Sequence, residues 1–111
     1  MKLAGYVAAS STAREIEKHL KYIPDTLLSF GDADVRALAK KHRKKLLEVP
    51  IRMIDYPYEE AIRRRKEWLV DNADCVILFT SDNDPMGKEI IYYAIFTEKP
   101  VKVVDVYYNP H

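Results

Sequence analysis

The chain is expected to fold as an α/β protein, a five-stranded and mostly parallel sheet in the order 3-2-1-4-5 with helices on both faces as three layers. Three observations lead there. Short apolar runs alternate with longer stretches of helical period, the rhythm of successive βαβ units. The run Cys75-Val76-Ile77-Leu78-Phe79-Thr80 is apolar almost throughout, as a strand buried on both faces requires. It leads through Ser81-Asp82-Asn83 to Asp84-Pro85, an N-cap followed by proline at the first helical position.

Each element follows from local chemistry. Lys2 to Ala9 reads as the first strand, too short for a secretory h-region. Thr12 and Glu15 form a capping box for a first helix, whose apolar side is Ala13, Ile16 and Leu20, and Pro24 stops it. Thr26 to Phe30 is a short second strand, and Gly31-Asp32-Ala33-Asp34 turns the chain into a second helix. Its inward stripe is expected to be Val35, Leu38, Ala39, His42 and Leu46, with Lys40, Lys41, Arg43, Lys44 and Lys45 outward. Pro50 precedes Ile51-Arg52-Met53-Ile54, taken as strand three. Asp55-Tyr56-Pro57 opens a third helix that runs to about Asn72. The Cys75 run and the Asp84 helix supply strand four and helix four. Val101 to Tyr107 is strand five, and Tyr108 to His111 is a frayed tail.

At 111 residues the chain is one domain, residues 1–111. With 48% hydrophobic and 32% charged residues it has the composition of a soluble globular protein. No apolar run is long enough to span a bilayer, so no membrane partner is expected. The single Cys75 gives neither a disulfide framework nor a zinc cluster, and a reducing cytoplasm fits. His19, His42 and His111 are scattered and show no metal spacing; neither a metal nor a cofactor is expected. A net charge of +1 argues against a general role with nucleic acid. The absence of glutamine, with frequent Lys, Arg, Glu and Tyr, points to a thermophilic source.

In parallel α/β sheets ligands bind beyond the C-terminal strand ends. The segments there are Ser10 to Thr12, Gly31 to Asp34, Asp55 to Tyr58 and Ser81 to Lys88. Ser10 and Ser11 stand where a dinucleotide-binding protein would carry its glycine fingerprint, which is absent, as is a Walker P-loop. Asp84, Met86, Gly87 and Lys88 form a candidate phosphate seat: free N–H groups, a favourable dipole, a glycine allowing close approach and a mobile cation. The same residues also describe an ordinary capped helix. Within Arg63-Arg64-Arg65-Lys66, only Arg65 shares the stripe of Tyr58, Ala61, Ile62 and Leu69. A guanidinium so directed needs a partner, either Asp34 or Asp74 in a salt bridge or a ligand phosphate or ribose. Asp32 and Asp34 flank the second helix as caps, and Asp34 could also reach ribose hydroxyls. Glu89 is a candidate acid–base group or a carboxylate favoured by the dipole. Tyr92, Tyr93 and Phe96 lie opposite Ile90, Ile91, Ala94 and Ile95, and predict either a homodimer surface or a seat for Tyr107 and Tyr108.

Three separated motifs resemble the SLOG superfamily, the Rossmann-like group of the DprA/Smf and LOG proteins, and most of all its small stand-alone YspA-like members. Their "GxxGADxxA" turn is similar to Gly31 to Ala39. Their "RNxxMvdxAD" segment is similar to Arg65 through Ala73-Asp74. Their "GT" turn, with an alanine seven residues on and then "gKPV", is similar to Gly87-Lys88, Ala94 and Lys99-Pro100-Val101. The resemblance implies a nucleotide-derived small ligand at these turns. The LOG branch cleaves N-glycosidic bonds with the arginine of the middle motif and a glutamate whose position here is Ile91. The implied function is binding or sensing of a nucleoside phosphate or ADP-ribose-like ligand. The alternatives are an N-glycosidase or deoxyribosyltransferase, with Arg65 and Glu89 as catalytic candidates, and a nucleic-acid-binding adaptor using Lys40 to Lys45 and Arg63 to Lys66.

Overall fold

The computed structural model describes residues 2–7, 17–18, 24–80 and 84–105. Five strands, β1 (Lys2–Val7), β2 (Thr26–Ser29), β3 (Lys45–Glu48), β4 (Cys75–Thr80) and β5 (Val101–Asp105), form one sheet in the order β3-β2-β1-β4-β5. All four pairings are parallel, so the sheet is parallel throughout rather than mostly so. Three described helices pack against it: α1 (Ala33–Lys41), α2 (Tyr58–Asp71) and α3 (Pro85–Phe96). The capping box at Thr12 and Glu15 lies outside the described residues, as do Tyr107 and Tyr108.

Strand pleating divides the apolar residues between two cores. Ala4, Leu28, Val76 and Leu78 join Leu69 and Val70 of α2 and Ile90 and Ala94 of α3 on one face. Leu3, Leu27, Ile77 and Phe79 join Val35, Leu38 and Ala39 of α1 on the other. Adjacent residues of β4 therefore serve different cores, which is why the run from Cys75 to Thr80 lacks polar alternation.

Strand three is not Ile51 to Ile54. The pairing strand is Lys45–Glu48, in register with Thr26 to Ser29. Leu46 packs on one core and Leu47 on the other, as a strand requires. Met53–Asp55 is instead a turn of 3-10 helix, with Ile54 exposed to 86%. The second helix thus stops at Lys41, five residues before the expected stripe reaches Leu46. A Schellman motif ends it: Lys44 N–H donates to Ala39 O at 2.8 Å and Arg43 N–H to Lys40 O at 3.3 Å. Arg43 takes the left-handed conformation with φ 54°.

His42 consequently leaves the apolar stripe and stands at the helix end, where its Nε2 donates to Glu17 Oε1 at 2.6 Å. Lys41 Nζ lies 3.0 Å from the same carboxylate. The His42 bond first, and then the Lys41 bond, hold the Glu17 carboxyl below its ordinary value. Its proton affinity is lower folded than unfolded, so this contribution is complete above the ordinary value of 4.5 and is lost as pH falls through the depressed one. Arg36 depresses Glu48 in the same sense. Thermal midpoints are therefore expected to fall below about pH 4.5, and Glu17→Gln to flatten part of that fall. Identical acid profiles for Glu17→Gln and the parent chain would contradict the assignment.

Candidate functional site

The chain runs outward from β1 to β3 and returns to β4, so the order reverses between β1 and β4. The C-terminal edge near that reversal is where a crevice opens in such sheets. Ser10 and Ser11 follow β1 there but lie outside the described residues, as does the segment 81–83.

After β2, the buried Ser29 accepts a hydrogen bond on Oγ from Gly31 N–H at 2.9 Å. Gly31 has φ 105°, a conformation that side chains resist, so the sharp turn needs glycine. The next residues enter α1, with Asp32 at the N-cap position but making no side-chain cap bond, and Asp34 half-buried in the first turn.

Arg65 does face inward, as its place on the stripe predicts, but not towards a carboxylate. Its Nη2 donates to Phe30 O at 3.2 Å, and the guanidinium lies 5.0 Å from the centre of the Phe30 ring. Its Nε is buried without a hydrogen-bond partner among the described residues. Asp74, one expected partner, instead accepts from Lys2 N–H at 2.7 Å at the start of β1. No Asp34–Arg65 ion pair forms either. Arg65 thus pins the turn after β2 to the side of α2.

At the end of β4, Thr80 Oγ1 donates to Asp84 Oδ2 at 2.9 Å. Asp84 occupies the N-cap position and Pro85 the first turn, as expected, but the carboxylate makes no cap bond and is held by Thr80. This bond explains Gly87. A Cβ there would overlap Thr80 Oγ1 and stand 2.8 Å from Asp84 Oδ2. The space that glycine leaves is filled by the chain's own hydroxyl and carboxylate, so close packing of α3 on β4 accounts for this residue.

Beside it, the N-terminal turns of α2 and α3 flank an open cleft of about 270 Å³ lined by Tyr58, Ile62, Asp84, Pro85, Met86 and Glu89. Of the residues expected in a site, Asp84, Met86 and Glu89 meet here. Gly87 lies beneath, Lys88 is exposed, and Arg65 follows Ile62 by three residues on α2. Tyr58 and Ile62 were legible only as companions of Arg65 on its stripe. Their role as one wall depends on how α2 meets α3. The cleft offers two carboxylate acceptors, a phenol and an apolar wall at converging positive helix ends.

The remaining candidates are engaged elsewhere. Cys75 stands at the opposite end of β4, and burial pushes its thiol up, away from nucleophilic character. Lys41, Lys44 and Arg64 pair with Glu17, Asp25 and Glu60, while Lys40, Arg43, Lys45 and Arg63 are exposed. Among the described residues there is no group of side chains that could hold a metal, and no helix long and apolar enough to cross a membrane. In comparisons with known proteins, no family model matches the chain, and no curated protein or solved structure matches it.

Proposed function

We propose that the cleft between α2 and α3 binds a nucleotide-derived small ligand, a nucleoside phosphate or an ADP-ribose-like molecule. The observation that carries this reading is the lining itself: the Asp84 and Glu89 carboxylates and Met86 on the α3 side, Tyr58 and Ile62 on the α2 side, at the C-terminal edge of a parallel sheet. Carboxylates accept from ribose hydroxyls, and the apolar wall suits the base or the sugar ring. A phosphate is best served at the rim, by the first turn of α3 and by Lys88. Arg65 is a positioning residue, since it fixes Phe30 and with it the turn from Gly31 to Asp34.

Thermal shift and calorimetry against AMP, ADP-ribose, cyclic ADP-ribose, NAD, deoxynucleoside monophosphates and adenosine test the proposal. Binding of at least one compound is expected, with affinity falling about tenfold or more in Glu89→Gln, the loss typical of a hydrogen bond to a charged group. No binding by any compound to a folded sample would sink it. The presence of Glu89 in the cleft also favours a second reading, cleavage of an N-glycosidic bond with Glu89 as acid–base group. Release of free base, abolished in Glu89→Gln, would establish that reading; no release from any common nucleoside or nucleotide would retire it.

A further inference from the structure

We infer that the chain pairs with a second copy of itself through the outer face of α3, the two helices lying antiparallel across a two-fold axis. Seven consecutive residues, Ile90-Ile91-Tyr92-Tyr93-Ala94-Ile95-Phe96, are apolar or aromatic, so this helix is apolar on every side. A helix of that kind is one that neighbours cover all round. The protomer covers only part of it. Ile90 and Ala94 are buried on the sheet, while Tyr92, Ile95 and Phe96 remain exposed to 67%, 59% and 82%. Ile95 therefore belongs to the outer face and not to the sheet side expected from the sequence.

Tyr93 is not free to join them. Its hydroxyl donates to Asp71 Oδ1 at 2.9 Å, and its ring lies 5.5 Å from Lys66 Nζ. Burial, and then that bond, push the phenol up to about 12. It thus ties α3 to α2 and supports Phe96, whose ring centre is 6.5 Å away. The docking surface is Tyr92, Ile95 and Phe96 on this rigid support. The outward sides of the other described helices differ. Arg36 and Lys40 on α1, and Glu59, Arg63 and Arg64 on α2, are exposed and charged.

Charge at the two ends of the patch selects the occupant. Lys88 stands at its start and Glu98 just past its end, both exposed, while Lys99 is held within the protomer by donating from Nζ to Ala73 O at 2.8 Å. Antiparallel packing that sets Tyr92 against Phe96 of the second copy brings Lys88 beside Glu98, a pair that occurs twice by symmetry. Parallel packing would set like charges together, which is destabilising. The patch is therefore self-complementary in the antiparallel sense. Its apolar area is on the order of 400 Å² per copy, about half that of a standard interface, the size class of weak, reversible association.

Sedimentation equilibrium on the full chain tests this. The mass is expected to rise from 12.9 kDa towards twice that value between about 1 and 500 µM. Phe96→Glu is expected to weaken association about a hundredfold or more without moving the unfolding midpoint. Lys88→Glu and Glu98→Lys should each weaken it about tenfold, and the double reversal should restore it to within about threefold. A parent chain that stays monomeric throughout, or a double reversal as weak as either single variant, would overturn the inference.

Discussion

Replacement of Phe79 by alanine is expected to lower the free energy of unfolding by about 4 kcal/mol. The ring is 1% exposed and packs among Leu3, Leu27, Val35, Leu38, Ala39 and Ile77, on the face of the sheet covered by α1. Removing it deletes the transfer energy of a large aromatic side chain and leaves a cavity in the central part of that core. The neighbours are anchored in three parallel strands and a helix, and they have little freedom to collapse inward. A small domain has a total stability of roughly 5–15 kcal/mol, so the variant would be close to unfolding at 37 °C. Urea titration followed by the fluorescence of Trp68, the single tryptophan, measures the change. Phe79→Leu is expected to lose only about 1 kcal/mol, because most of the volume remains. A loss below about 1 kcal/mol for alanine would mean that this face is not packed as described.

Gly87→Ala is expected to destabilise by about 1–2 kcal/mol, against the helix propensity of alanine, which favours it by about 1 kcal/mol. Overpacking decides the sign. The new methyl would enter the space of Thr80 Oγ1 and press on Asp84 Oδ2. Thr80 is only 4% exposed on a central strand, so it has nowhere to retreat, and the cost of such crowding runs to about 1–3 kcal/mol. The coupling with Thr80 is the discriminating measurement. Thr80→Ala removes the obstructing hydroxyl, so the double variant should be more stable than the sum of the two single losses by about 1 kcal/mol. Additive losses would show that glycine is required for some reason other than the contact with Thr80. Because the new methyl also presses on Asp84, the ligand binding proposed for the cleft should weaken together with stability.

The alternation of strands and helices, and with it the parallel sheet, was legible because its signals are local and repeated. An apolar run of strand length, an N-cap with proline and a helical stripe each occupy a few residues, and together they define the alternation. The misplacement of strand three has an equally local cause. Helix ends are usually marked by glycine in the left-handed position, and here Arg43 occupies it with φ 54°. The end of α3 repeats the pattern, with Glu98 at φ 60° and Lys99 N–H bonded to Ala94 O at 2.8 Å. Without a glycine to mark the end, Lys44-Lys45-Leu46-Leu47-Glu48 continues a helical period on paper. Pairing with β2, and the division of Leu46 and Leu47 between two cores, override it.

The candidate site separates along the same line. By itself, the sequence determined that Asp84 stands before a helix at a strand end, that Arg65 faces inward unlike Arg63, and that α3 turns aromatic residues away from the sheet. Each of these is a statement about position on one element. Only the tertiary structure decided what meets those positions. Phe30 receives the Arg65 guanidinium in place of a carboxylate, Thr80 takes the Asp84 carboxylate from its capping role, and Tyr58 and Ile62 become a cleft wall. The physical reason is that periodicity and caps act within a few residues of sequence. The partner of a buried polar group is chosen by the packing of segments that lie, like Phe30 and Arg65, 35 residues apart.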